Sequence, residues 1–184
     1  MNPRGILFAM CVAALALPAS AQEPVCTEIT PKMRYCSDIA PRNSGTARAI
    51  FPDLIASYTV SPRDSGNFTT SAVALMPVET PPENWTAVGK LALNQLMVKG
   101  TAPAAKLRDI AATKGNVDGV QSLRLSAVGL HADGTDFGHY RMEALPMRGA
   151  VLLVYTFRMG HAATDAQLDD MHAASVASIE IDRP

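Results

Sequence analysis

The chain has 184 residues, 48% of them hydrophobic and 18% charged, with 16 lysines and arginines against 17 aspartates and glutamates. That near-neutral balance removes any electrostatic basis for a nucleic-acid or anionic-membrane partner. The length is that of one domain, enough to bury a core without metal or many disulfides.

Residues 1–21 read as a secretory signal peptide. Arg4 supplies the positive start, and GILFAMCVAALALP is an apolar run too short to span a bilayer comfortably. Ala19-Ser20-Ala21 fits the small-residue cleavage pattern. Cleavage after Ala21 predicts a periplasmic or secreted protein with no stable membrane insertion; an uncleaved anchor is the alternative. Cys11 leaves with the signal, and Cys26 and Cys36 remain in CTEITPKMRYC with Pro31 midway. In an oxidising compartment this pair is expected to form a structural disulfide rather than reduced or metal-bound thiols, since redox-active pairs more often read C-x-x-C. Residues 22–46, rich in Pro, Ser, Thr and charge, read as a disulfide-clipped extension, and 47–184 as a single domain.

LIASYTVSP alternates as a strand does, PRDSGN is turn chemistry and FTTSAVALMPV is a second strand, together a hairpin. The period then changes. PPENWTAVGKLALNQLMVKG offers Asn84 as a cap, places Trp85, Val88, Ala92 and Leu96 on one helical face, and stops at Gly100. APAAKLRDIAATKG predicts a second, shorter helix, with Pro103 in its first turn, Leu107, Ile110 and Ala111 on its apolar face and Gly115 at its end. VQSLRLSAVGLH, DFGHYRMEALP and GAVLLVYTFRM follow as three hairpin-linked strands, the last apolar enough to be central. Thr164 and Gln167 fit a capping box opening a closing helix, with Leu168, Met171, Ser175 and Ile179 on one face. The order β-β-α-α-β-β-β-α predicts an α+β fold, an antiparallel sheet flanked by helices.

That order, with the early hairpin, the helix opened by PENW, the meander ending in VLLVYTFRM and the closing TDAQLDDMHAASVASIEI, resembles the Mog1/PsbP-like superfamily over residues 47–182. The resemblance implies an α/β/α sandwich and a binding or assembly role, and it carries no catalytic residue onto this chain.

Motifs for hydrolase nucleophiles, phosphate-binding loops and zinc ligation are missing from the sequence, and the neighbouring Asp169 and Asp170 point apart on a helix. The sequons at Asn67 and Asn84 matter only in a eukaryotic secretory route. Metal chemistry has one candidate, HADGTDFGHY, where His131, Asp133, Asp136 and His139 are competent ligands for zinc, copper or manganese. Hairpin register decides whether they converge. A two-residue Asp133-Gly134 turn pairs His131 with Asp136 and His139 with Val128, splitting the histidines between sheet faces; a three-residue loop, Asp133–Thr135, unites them. Asp-Gly is the stronger hairpin signal, so the split register is expected. His161 and His172 lie near scattered methionines without the clustering of a copper site. Two readings therefore stand ahead of an enzyme with a hidden pocket. The first is an exported non-catalytic binding or assembly module for a protein or small ligand, without a cofactor. The second is an exported divalent-metal binder using the His131–His139 hairpin.

Overall fold

The computed structural model describes residues 24–37, 54–59, 68–79, 84–98, 106–160 and 164–182; the segment read as a signal peptide, and His161, lie outside them. In chain order the elements are β1 (Val25–Thr30), β2 (Met33–Ser37), β3 (Leu54–Thr59), β4 (Phe68–Pro77), α1 (Trp85–Val98), β5 (Lys106–Val117), β6 (Val120–Leu130), β7 (Asp136–Met147), β8 (Ala150–Met159), α2 (Asp165–Ala177) and β9 (Ile179–Ile181). The fold is α+β and mostly strands. All strand pairings among the described residues are antiparallel, in one sheet ordered β3-β4-β8-β7-β6-β5 and a smaller one ordered β1-β2-β9.

The apolar run AVLLVYTF makes β8 the central strand, buried from Ala150 through Arg158 between β4 and β7. Its residues feed two cores in alternation, because successive side chains leave a strand on opposite faces. Val151, Leu153, Tyr155 and Phe157 meet Val88 and Ala92 of α1, together with Ala72, Leu123, Leu125 and Met142. Leu152 and Val154 meet Val176, Ile179, Met33 and Tyr35, so the opposite face lies under α2 and the small sheet. Burying each such aliphatic side chain contributes about 1.5–3 kcal/mol.

Both helix starts follow their caps. Asn84 accepts a hydrogen bond from the Ala87 amide at 3.0 Å. Thr164 and Gln167 form the reciprocal capping box, with contacts of 3.2 and 2.8 Å. The face of α2 departs from expectation: Leu168 and Ser175 are buried as expected, His172 and Val176 join them, Met171 is only half-buried, and Ile179 belongs to β9.

The disulfide joins Cys26 and Cys36, which stand directly opposite one another on β1 and β2. This hairpin is tied into the domain through β9, with Met33 opposite Ile181 and the Cys36 amide donating to Ser178 O at 2.7 Å.

Two expectations are corrected. The second helix does not form, because Lys106–Val117 is a strand. Asp118-Gly119, with φ of +44° and +80°, is the two-residue hairpin turn that folds β5 back onto β6. A bulge puts Asp109 and Ile110 opposite Ala127 alone, with Asp109 at φ +51°. That extra residue breaks the two-residue alternation and leaves Leu107, Ile110 and Ala111 at spacings that mimic a helix.

The β6–β7 loop also differs from both registers. His131 N donates to Thr135 O at 2.8 Å and Gly134 N to His131 O at 3.0 Å, so Ala132–Gly134 is a three-residue loop with Gly134 at φ +87°. Asp133 Oδ1 accepts from the Thr135 amide and hydroxyl at 2.9 and 2.7 Å, a local turn that competes with the two-residue geometry. Phe137 then bulges out of register, and His139 returns to its place opposite Val128.

Candidate functional site

The predicted ligand set is distributed over the hairpin. The His131 ring meets the Phe137 ring edge-on at 5.1 Å, and Phe137 stacks on Phe157 of the core under α1. Asp133 is taken up by Thr135, whose hydroxyl and amide hold its carboxyl below the usual range. Asp136 accepts from Arg108 Nη2 at 2.9 Å and stands 3.9 Å from His139 Nε2. His139 lies on the other face of the sheet, its Nδ1 3.1 Å from Asp165 on α2. Among the described residues no three His, Cys, Asp or Glu side chains gather into a group able to hold a metal ion.

The denser constellation lies under α2. On β7, His139, Arg141 and Glu143 alternate with the apolar Tyr140, Met142 and Ala144, so the three polar residues share the α2 face. Helix α2 supplies the complements. Asp165 receives Arg158 Nη2 at 2.9 Å and His139 at 3.1 Å, with Arg141 Nη2 at 4.0 Å. The Arg158 hydrogen bond, aided by the nearby cations, holds the Asp165 carboxyl below its ordinary range. Asp169 pairs with Arg141 Nε.

Beneath these pairs, Glu143 is 1% exposed. It stands opposite Arg124 on β6, whose Nε donates to Oε2 at 2.9 Å, and Ser122 donates to Oε1. Gly115 on β5 leaves the space that the carboxylate fills, since a Cβ there would lie 1.7 Å from Oε1. A buried carboxylate is tolerable only with such partners. Next to it, Ser71 and Thr156 share a hydrogen bond of 2.8 Å, and Thr156 Oγ1 lies 3.2 Å from His172 Nδ1. His172 Nε2 faces Glu143 Oε2 at 4.0 Å, beyond hydrogen-bond range. That nitrogen and Ser175 Oγ are buried with no hydrogen-bond partner among the described residues. Burial, reinforced by the Arg124 and Arg141 charges against an opposing Asp169, pushes the His172 pKa down to about 4. The ring is therefore neutral at pH 7.

Hydroxyl, imidazole and carboxylate in series resemble the parts of a nucleophilic triad. Ser71 and Thr156 are fully buried, however, so neither hydroxyl meets a substrate, and the series acts as an internal polar seam joining α2 to the sheet. The sequence carried a signal for this seam: the two-residue spacing of His139, Arg141 and Glu143 beside the four-residue spacing of Asp165 and Asp169.

The open surface lies elsewhere. Strand β5 is one edge of the six-stranded sheet, and from Arg108 to Lys114 every residue is exposed. Ile110 at 50% and Val120 at 38% are two of the three large hydrophobic residues exposed among the described ones. Among the described residues no helix is long and apolar enough to cross a membrane. No family model matches the sequence, and no curated protein is significantly similar to it.

Proposed function

We propose that the chain is an exported, non-catalytic binding or assembly module of the Mog1/PsbP-like class, and that it engages a protein partner through the β5 edge. The carrying observation is the run Arg108–Lys114, exposed on an edge strand with Ile110 half in solvent. Edge strands present main-chain groups to an added strand, and exposed apolar side chains add specificity. Helices packed on opposite faces of an antiparallel sheet support the family reading. The disulfide is compatible with an oxidising compartment. The test is capture from periplasm or culture medium with mature protein as bait, comparing wild type with Ile110→Asp. A saturable protein partner bound at least tenfold more weakly by the variant, with melting unchanged, is expected. Equal capture by both baits, or no saturable partner, overturns the reading.

A further inference from the structure

We infer that α2 is an acid-released element: protonating His172 undocks this helix, and β9 with it, from a sheet that otherwise stays folded. His172 is the one ionisable side chain on the buried face of α2, beside Leu168, Ser175 and Val176. At 4% exposure its ring has no water to receive a new charge. Each element packed around it presents either a neutral group or a committed charge. Strand β4 offers the Ser71 hydroxyl and β8 the Thr156 hydroxyl, already bonded to each other. Strand β6 brings Arg124, and β7 brings Arg141 and Glu143. Arg158 of β8 and His139 of β7 are turned to Asp165, and Asp169 is held by Arg141.

An imidazolium donates from both nitrogens. Its Nδ1 could keep Thr156 as acceptor. Its Nε2 would face Glu143 Oε2, which is 4.0 Å away and already bonded to Arg124 at 2.9 Å. Two arginine charges oppose the new cation, Asp169 favours it, and the Glu143 carboxylate at 4.0 Å is already engaged by Arg124 and Ser122. The uncompensated charge is relieved when the helix swings out and the ring reaches water.

The direction follows from linkage. The released ring takes up a proton near its ordinary value of 6.5 and the docked ring only near 4, so docking is at full strength above 6.5 and is lost as pH falls toward 4. Between pH 7 and pH 5 the opening equilibrium of α2 should rise about 20-fold. The Asp165 carboxyl, held below its ordinary range, stays ionised across this window, so loss of its charge does not produce the change.

Hydrogen exchange on the full mature protein reads this directly. Protection factors of α2 and β9 amides should fall about 20-fold from pH 7 to pH 5, whereas those of α1, β6 and β7 hold. His139→Gln should keep the fall and His172→Gln should abolish it. Equal protection at both pH values, loss spread evenly over all elements, or a fall that survives in His172→Gln would each overturn the inference. If His172→Gln does not fold, the ring titration of wild type decides: a His172 pKa at or above 6.5 by NMR overturns it, since Glu143 would then be accepting the proton-bearing ring in place.

Discussion

Replacing Gly115 by alanine opposes a general preference to a particular contact. Alanine in a strand interior is ordinarily favoured over glycine by about 0.5–1 kcal/mol, because glycine loses more backbone freedom on folding. Gly115 is not among the positive-φ glycines, so the backbone itself accepts a side chain. The added Cβ would stand 1.7 Å from Glu143 Oε1, 2.8 Å from its Cδ and 2.7 Å from Ser122 Oγ. A flexible surface glutamate would swing aside at little cost. Glu143 is 1% exposed and bonded to Ser122 and Arg124, so it has nowhere to go without losing those partners. Overpacking costs about 1–3 kcal/mol, and weakening a buried charged hydrogen bond about 1–3 more. After the backbone gain, the net loss is about 1–5 kcal/mol, a fall in melting temperature of roughly 2–20 °C for a domain this size. Thermal and urea unfolding of Gly115→Ala measure it. In a Glu143→Ala background the carboxylate clash is gone and the Ser122 hydroxyl, released from its bond to Glu143, is free to turn aside, so the same substitution should cost little there. A single variant as stable as wild type, or costs that simply add in the double variant, would refute the account of why glycine stands at 115.

Replacing both Cys26 and Cys36 by serine should cost about 2–3 kcal/mol in urea unfolding, the entropy of a short closed loop; an unchanged midpoint would mean the hairpin is held by its strand pairing alone. Thr164→Ala removes the side-chain acceptor of the capping box and should lower stability by about 1 kcal/mol, with the first turn of α2 losing hydrogen-exchange protection first.

Much of the scaffold was legible because local and tertiary signals agree. The apolar run of β8 does sit between two strands, Asn84 and Thr164 do cap their helices, and β6, β7 and β8 do follow one another across the sheet. Strand β5 was not legible because two local features conceal it. The bulge at Asp109 scrambles its alternation, and Gly115, there to admit Glu143, looks like a helix stop. The better clue was Asp118-Gly119, the Asp-Gly pair that makes the tight two-residue turn, whereas Asp133-Gly134 is drawn into a wider loop by Thr135. The seam under α2 was hidden for another reason. Helical periodicity places Ser175 on the inner face but favours the apolar Met171 over its neighbour His172, which is the residue buried there. The burial of His172 draws on polar neighbours from three strands, which no window of one helix contains.

The smaller sheet has a consequence for the order of events in folding. Strand β2 pairs with β9, and Arg34 meets Glu180 across 146 positions of sequence at 2.6 Å. The hairpin of β1 and β2, with its disulfide, is local and can close as soon as it is made. Its place over Val73, Leu152 and Val154 needs Ile179 and Ile181, which arrive with the last strand. Contacts this distant form slowly. A chain emerging in order would therefore carry an oxidised hairpin early and an uncovered apolar face until Ile179–Ile181 arrives. That interval is the stage at which the protein most needs protection from aggregation.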